Sequence, residues 1–472
     1  MAIVGYKLWL GLLLAWVLGG CASVYKPQNV PLEKVEPNAG YRPFSVPRLY
    51  TGNHLVALSF SGGGTRAAAL TFGVMQELRD TQIDGAGKRV RLLDETDTIS
   101  AVSGGSFTAA YYGLFGDRLF TDYEDAFLRR SVQGALIRQL LNPVYWWRSL
   151  FSGFDRTEMA VEFYDNTIFK GKRFKDIPLQ ERPYIEINAT DLKNGQRFSF
   201  TQGMFDLLCS DLADFPVARA VTASSAVPVA FPTVVLENYS PHCQLHSLPE
   251  MQAALHKPLP TPQELIRRER YSDLYERAAE NPYVHLVDGG ISDNLGLRAI
   301  LERVDAMGGM QQGFSRLGVP QKDVLIILVN AAVKPERTMG EVASKPSIAQ
   351  TVAAFTDSQM QLYNVETKRL IQERIRAEEE RLKAAGLDVK FYFVEIAFES
   401  VKSTSLKSFF NSLPTSLELT DQQVDSLIMA GRTLLRENPE FQAFLRANNG
   451  KLHEVIKKYS CNPFLNPLCI IR

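Results

Sequence analysis

Ser103 is the residue of this chain best placed to act as a nucleophile. It lies in TISAVSGGSFTAAYYG, between a β-like run and a helix-like run, and two glycines follow it directly. A serine on a sharp strand-to-helix turn projects its hydroxyl away from the sheet, and the crowded backbone there requires small neighbours. The N-terminal end of the following helix would favour a negative charge beside the hydroxyl. The stretch therefore indicates a nucleophile, although Ala101 stands where the pattern usually has glycine, and a structural serine in a glycine turn is the alternative.

Three consecutive glycines could supply hydrogen-bond donors for such a nucleophile. Gly62, Gly63 and Gly64 follow the apolar run HLVALSF and lead through Thr65 into a helix-like segment. Successive glycine amides can turn towards an anion and bind it. The stretch lacks the Gly-Lys-Ser/Thr ending of a P-loop and the spaced glycines of a dinucleotide fingerprint. It therefore predicts a site for a phosphate or a tetrahedral oxyanion, for which one donor is worth roughly 3 kcal/mol.

An aspartate at the end of a strand could serve as the base. In HLVDGGISDNLG an apolar run ends at Asp288, and two glycines follow. Such an aspartate can meet a serine on a neighbouring strand, or it can simply form an Asx-turn. No histidine is well placed to complete a triad: His285 would point to the opposite face of its strand, His54 begins another strand, and the other four lie in insertion or tail regions. A Ser–Asp dyad is the economical alternative.

An α/β scaffold would bring these three chain positions together. Continuous apolar β-like runs alternate with helix-like segments, at 54–60, 97–102, 283–287, 324–330 and 390–398. Such runs predict a mostly parallel central sheet with helices on both faces. The stretch PYIEINATDLKNGQRFSFTQ, with Asn194-Gly195 at its turn, predicts a hairpin on that sheet.

The glycine-rich strand end, the serine turn and the Asp-Gly-Gly turn, in this order, resemble the patatin-like phospholipase family. ARAVTASSAVPVAFP, at 218–232, is similar to the family's Ala-Ser-Ser-Ala-x-Pro segment, and NATDLKNGQRFSF and SLPTSLEL are similar to its bacterial lipoprotein branch. The resemblance extends from about residue 50 to 440. It implies a single large patatin-like α/β/α hydrolase domain over 50–440, with insertions near 238–282 and 357–386.

The resemblance also implies a catalytic dyad, in which Ser103 is the nucleophile and Asp288 accepts its proton and later activates water. Backbone amides of the glycine stretch would form the oxyanion hole, at Gly62, Gly63, Gly64 and Thr65. Arg66 would contact a lipid headgroup or brace the loop. No metal and no cofactor is implied.

The implied reaction is hydrolysis of acyl esters of phospholipids or lysophospholipids. Two alternatives remain: an acyltransferase that passes the same acyl group to another acceptor, and a non-catalytic envelope scaffold that keeps the motifs as parts of its fold. A nucleic-acid partner is not expected, because 52 basic residues balance 52 acidic ones and no basic stripe with interleaved aromatic residues is present.

The N-terminus predicts export and lipidation. Lys7 precedes LWLGLLLAWVLGG, which is typical of a secretory signal and short for a membrane span. LGGC resembles the bacterial lipobox, so residues 1–20 would be removed and Cys21 lipidated; ordinary cleavage or an uncleaved anchor are the alternatives. No Asp follows Cys21, and by resemblance to lipoprotein sorting in Gram-negative bacteria we expect the outer membrane, facing the periplasm. The Pro-rich residues 21–49 predict an extended tether.

Three further features leave alternatives open. The stretch 142–154 could touch lipid through its aromatic residues Trp146, Trp147, Phe151 and Phe154, although burial in the core is the more common role. The charged stretch 365–385 predicts a solvated helix, and a helix that binds a partner is the alternative. In an oxidising periplasm the cysteines suggest disulfides, Cys209–Cys243 and Cys461–Cys469 being one of three connectivities, or they are free and buried; the last two lie in a tail over 441–472.

Overall fold

A central sheet separates two layers of helices. It is seen in a computed structural model that describes residues 25–43, 52–85, 87–228, 230–243, 262–318, 320, 322–334, 344–453 and 463–464. The strands are β1 Val30–Pro31, β2 His54–Phe60, β3 Thr81–Asp84, β4 Arg89–Arg91, β5 Thr96–Val102, β6 Tyr184–Asp191, β7 Gln196–Ser199, β8 Ser210–Asp211, β9 Val234–Glu237, β10 Tyr283–Asp288, β11 Asp323–Asn330, β12 Phe391–Ala397 and β13 Lys451–Leu452.

The main sheet is mostly parallel. Its strand order is β12-β11-β2-β5-β6-β10-β9, and β7 adds to β6 as an eighth strand. The five strands from β12 to β6 run parallel. β10 pairs antiparallel with both β6 and β9, and β7 forms the predicted hairpin with β6. The structure therefore confirms the predicted α/β class and its covered sheet.

The helices are α1 Gly64–Asp80, α2 Gly104–Phe115, α3 Leu119–Tyr123, α4 Val132–Leu140, α5 Pro143–Ser152, α6 Arg156–Tyr164, α7 Gln202–Leu207, α8 Val217–Ser224, α9 Pro262–Tyr271, α10 Gly290–Asp293, α11 Leu297–Met307, α12 Met310–Leu317, α13 Ile348–Ala384, α14 Thr404–Ser412, α15 Asp421–Glu437 and α16 Pro439–Ala447. Among them, α1, α2 and α15 pack on one face of the sheet, and α11, α12 and α13 pack on the other. Burial on both faces explains why β11 and most of β2 are apolar.

The structure corrects the prediction that the Pro-rich N-terminal segment is an extended tether. Instead of extending away as a tether, residues 25–43 lie against the domain: β1 pairs with β8, and Tyr41 is 5% exposed. The Tyr41 ring stacks on Tyr184 with centroids 4.8 Å apart, and its hydroxyl donates to the Ile185 carbonyl at 3.0 Å. Burial of this aromatic ring outweighs the solvation that a Pro-rich segment would otherwise favour.

The predicted additions are partly described. The charged helix is longer than expected, because α13 begins at a capping box formed by Ser347 and Gln350. The 238–282 segment contributes α9, while 244–261 lies outside the described residues. Cys209 and Cys243 form a disulfide with Cα atoms 5.9 Å apart. The predicted signal peptide, Cys21, Cys461 and Cys469 all lie outside the described residues. No helix among the described residues is long and apolar enough to cross a membrane.

Candidate active site

Ser103 occupies a strained turn between β5 and α2. Its backbone has φ 49° and ψ −121°, a conformation that side-chain-bearing residues rarely adopt and that functional sites often retain. The turn leaves Ser103 6% exposed, with its hydroxyl at the C-terminal edge of the parallel strands. Gly104 follows because a Cβ there would lie 2.0 Å from the Gly64 carbonyl oxygen. The serine turn and the glycine-rich turn are thus in direct backbone contact.

Asp288 meets the Ser103 hydroxyl. Ser103 Oγ donates to Asp288 Oδ2 at 2.9 Å, and the Gly290 amide donates to Asp288 Oδ1 at 2.7 Å. Burial raises the pKa of Asp288 from 3.8 to about 6, and these two hydrogen bonds oppose that rise only in part. A carboxylate with this pKa is mostly ionised at neutral pH and yet a better base than an exposed one.

From the sequence we expected Ser103 and Asp288 on neighbouring strands, but a third strand lies between the strands that carry them. β6 lies between β5 and β10, and β10 runs antiparallel to β6. Val102 pairs with Asn188, while Asp288 pairs with Ala189. The ends of β5 and β10 therefore reach the same level of the sheet from opposite directions, and the two side chains meet beside the middle of β6, at Asn188 and Ala189.

The glycine-rich turn offers two amides rather than four. The Gly62 amide donates to the Asn294 carbonyl at 3.0 Å, and the Thr65 amide donates to the Ser416 carbonyl at 2.8 Å. Those two predicted oxyanion donors are therefore already engaged. The amides of Gly63 and Gly64 make no hydrogen bond with any described residue. Their positive φ values, 140° and 59°, turn the backbone in a way that glycine tolerates.

A comparison with known protein families identifies the family of this chain. The sequence model of the patatin-like phospholipase family matches residues 58–301, a span that holds the glycine-rich turn, Ser103 and Asp288. The chain belongs to the patatin-like phospholipase family. As a member of that family it is a lipid acyl hydrolase.

Other comparisons add little to the family assignment. No curated protein matches the chain. The crystal structure of VipD from Legionella pneumophila is similar at 10% identity, covering 93% of this chain and 74% of VipD, with a TM-score of 0.32. A likeness of that size is too weak to bear on function.

Arg66 of this patatin-like protein braces the glycine-rich turn. Its guanidinium donates to the carbonyls of Ala331 and Leu413 at 3.0 and 2.7 Å and to Thr415 Oγ1 at 3.0 Å. The side chain is 2% exposed, and burial lowers its pKa to about 10. Of the two roles considered from sequence, this placement favours bracing over contact with a headgroup.

Ser224 is a positioning residue to which sequence reasoning assigned no role. Its Oγ accepts from the Ser103 amide at 2.8 Å and donates to the Asn188 carbonyl at 2.6 Å. Ser106 Oγ lies 2.9 Å from the same oxygen. All four residues are buried, so Ser224 fixes the backbone of the strained serine turn.

The backbone around Ser224 holds the aspartate as well. The Ser224 carbonyl accepts from the Gly289 amide at 3.1 Å, and the Ala226 carbonyl accepts from the Asp288 amide at 3.0 Å. The Ala-Ser-Ser-Ala segment therefore holds both halves of the candidate dyad. The family resemblance of this segment was the available signal, but sequence spacing could not show what it contacts.

Histidines and clusters of metal-ligating side chains are other groups that could activate a serine in the part of the chain that the structure describes. Neither Ser103 nor Asp288 hydrogen-bonds any histidine there; His54 Nε2 lies 2.7 Å from Asn448 Oδ1, and His285 Nδ1 lies 3.1 Å from Thr233 Oγ1. No group of three His, Cys, Asp or Glu side chains there could hold a metal. A polar cavity of about 410 Å³ lies at the beginning of β2 and β11, the opposite edge of the sheet from Ser103.

Proposed function

We propose that the protein is a lipid-anchored serine hydrolase of phospholipid or lysophospholipid acyl esters, acting through Ser103 and Asp288. The observation that carries the proposal is the 2.9 Å hydrogen bond between the serine hydroxyl and a buried carboxylate. The proposed reaction has two halves that share one acyl-enzyme intermediate.

In the first half, the Asp288 carboxylate takes the Ser103 proton as Oγ attacks the ester carbonyl carbon. The carbonyl oxygen becomes an oxyanion, which the amides of Gly63 and Gly64 are free to stabilise. The intermediate collapses with cleavage of the bond to the alcohol oxygen, and protonated Asp288 returns the proton to that oxygen. The acyl group remains on Ser103 as an ester.

In the second half, ionised Asp288 takes a proton from water, which attacks the acyl ester. The same amides stabilise the second oxyanion. Collapse breaks the bond to Ser103 Oγ, and the proton returns from Asp288 to that oxygen. The products are a fatty acid and a regenerated serine, so water supplies every atom added and no redox partner is needed.

The anchor and the location belong to the same proposal. Cys21 in LGGC would carry the lipid after removal of residues 1–20, and the mature chain would lie at the outer membrane, facing the periplasm. A phospholipid substrate and a membrane anchor are consistent with each other, because the anchor keeps the enzyme at the surface that contains its substrate.

The test uses the full chain, purified in mild detergent from the membranes of a Gram-negative host. Fatty-acid release is measured from diacyl phospholipids, lysophospholipids and p-nitrophenyl butyrate. We expect release from wild type and a loss of at least about a thousandfold in Ser103→Ala and Asp288→Ala. Ser225→Ala is the matched control, because Ser225 Oγ donates to the Val221 carbonyl at 2.8 Å and hydrogen-bonds neither dyad residue.

The competing functions give different results. Transfer of a labelled acyl group to glycerol without free fatty acid would favour an acyltransferase. A wild-type protein that a fluorophosphonate probe does not label would favour the scaffold. Full activity in a folded Ser103→Ala variant would refute the dyad, and mass spectrometry of the mature N-terminus tests lipidation of Cys21 directly.

A further inference from the structure

Helices α4 and α5 expose an unusual amount of apolar surface. In α5 the described side chains are mostly exposed, and Tyr145 alone among them is buried. The apolar residues of this region that face solvent, each 50–76% exposed, are Ile137, Leu141, Val144, Trp146, Trp147 and Leu150. We call these six the α4–α5 surface. Core burial, the more common role for this aromatic stretch, does not account for them, and a contiguous exposed apolar patch usually marks a contact site.

Two exposed arginines beside the α4–α5 surface suit an anionic phospholipid surface. The segment 126–154 contains four arginines and no acidic residue. Arg129 and Arg148 pair with acidic residues of other elements, while Arg130 and Arg138 are exposed. Tryptophan and leucine on one helix flanked by arginine are typical of segments that lie in the interface plane of a bilayer.

The α4–α5 surface is close to the catalytic turn. The Gly134 amide of α4 donates to Glu418 Oε2 at 3.2 Å. Two residues earlier in the same loop, the Ser416 carbonyl accepts from the Thr65 amide at 2.8 Å. One short loop therefore separates α4 from the glycine-rich turn that faces Ser103.

The beginning of the described chain lies on the same side of the molecule. Tyr25 donates to Glu158 Oε1 at 2.9 Å, and Arg148 of α5 donates to Glu162 Oε2 at 2.8 Å. Glu158 and Glu162 are one turn apart on α6, so Tyr25 and α5 contact adjacent turns of one helix. Cys21 is four residues before Tyr25, and four residues span at most about 14 Å. A lipid on Cys21 would therefore hold this side of the protein near the bilayer.

We infer that the α4–α5 surface docks on an anionic phospholipid bilayer, with Trp146 and Trp147 among the headgroups. The inference rests on the proposed lipid anchor and hydrolase function. It adds a second membrane contact that fixes the orientation of the enzyme, whereas an acyl chain on a four-residue link alone would leave the body free to rotate. The glycine-rich turn would then lie on the side from which lipid arrives.

The chain provides its own probe for this contact. Its four tryptophans are Trp9 and Trp16, which the proposed processing removes, and the two residues of the α4–α5 surface, Trp146 and Trp147. Full-length Ser103→Ala protein, which cannot degrade the probe, is reconstituted into vesicles of phosphatidylethanolamine and phosphatidylglycerol that contain brominated phosphatidylcholine. We expect bromines near the headgroup to reduce tryptophan emission about twofold, and bromines deep in the chain to reduce it less. Trp146→Phe/Trp147→Phe protein measures any contribution from uncleaved signal peptide.

A second measurement separates docking from catalysis. Trp147→Glu/Leu150→Glu should lower hydrolysis of vesicle lipid about tenfold and leave hydrolysis of p-nitrophenyl butyrate within about twofold of wild type. Leu265→Glu is the matched control. Leu265 is 51% exposed, but it lies on α9. Arg270 of α9 pairs with Glu302 of α11, in the helical layer that also contains α12 and α13.

The outcomes are distinct. Protein that floats with vesicles through its anchor but shows no quenching beyond the Phe variant overturns the docking surface and leaves the hydrolase intact. A parallel loss of soluble-ester hydrolysis in the double Glu variant also overturns it, because the surface would then be structural. A wild-type dimer that this variant dissociates, without quenching in vesicles, would make a second copy the occupant. Inactivity of wild type on every ester refutes the proposed function, while the quenching result stands by itself.

Discussion

Replacing Asp288 by Asn should abolish activity and at the same time stabilise the fold at neutral pH. Burial raises the Asp288 pKa from 3.8 to about 6, so the ionised form is disfavoured in the native state. At 1.36 kcal/mol for each tenfold change in proton affinity, this rise corresponds to about 3 kcal/mol of lost stability near pH 7.5. An Asn side chain can keep both contacts, since its oxygen accepts from the Gly290 amide and its amide group donates to Ser103 Oγ.

The change of this stability difference with pH follows from proton binding at Asp288. Between pH 3.8 and about 6 the native state binds more protons at Asp288 than the unfolded state, so wild type loses stability as pH rises through that window. The variant lacks this titration. We therefore expect the advantage of Asp288→Asn to be about 3 kcal/mol at pH 7.5, about half of that at pH 5, and small at pH 4.

The assay is urea unfolding followed by circular dichroism, with wild type and variant in the same detergent at the three pH values. Wild-type hydrolysis of a soluble ester should fall about tenfold from pH 7.5 to pH 5, because about one tenth of Asp288 remains ionised there. A variant no more stable than wild type at pH 7.5, or a stability gap that does not change with pH, would refute the idea that Asp288 is a desolvated base.

Three other substitutions test the residues that hold the serine turn and the glycine-rich turn in place. Ser224→Ala should lower kcat about a hundredfold with little change in KM, because the backbone of the nucleophile loses its acceptor; equal kinetics in Ser224→Ala and Ser225→Ala would contradict this. Gly64→Ala should abolish ester hydrolysis, because its Cβ would lie 2.3 Å from a backbone oxygen, whereas Gly87→Ala has a similarly positive φ with nothing within 4 Å and should stay active. Arg66→Lys should lower the free energy of unfolding by about 2–4 kcal/mol, since buried carbonyls lose their donors; an altered headgroup preference at unchanged stability would instead indicate contact with lipid.

Local features of the chain could be predicted because they depend on near neighbours in sequence. Continuous apolar runs predicted the buried parallel strands, and the Asn194-Gly195 turn predicted the β6–β7 hairpin. The Gly-Gly-Gly and Ser-Gly-Gly stretches indicated sharp strand-to-helix turns because few residue types tolerate such backbones. The role of the segment 142–154 could not be predicted in the same way, since its aromatic residues are typical of a core and also occur on contact surfaces. Only the packing showed that Trp146 and Trp147 are exposed.

The types of the groups in the candidate site follow from the order of amino acids alone: a serine on a tight turn, glycine amides after a strand, and an aspartate before Gly289-Gly290. Tertiary structure decided which of them meet. β6 separates the strands of Ser103 and Asp288, the amides of Gly62 and Thr65 are already engaged, and Ser224 supports the nucleophile from 121 residues away. These outcomes depend on strand order, register and backbone partners, which arise from packing among distant segments and leave no fixed spacing in the chain.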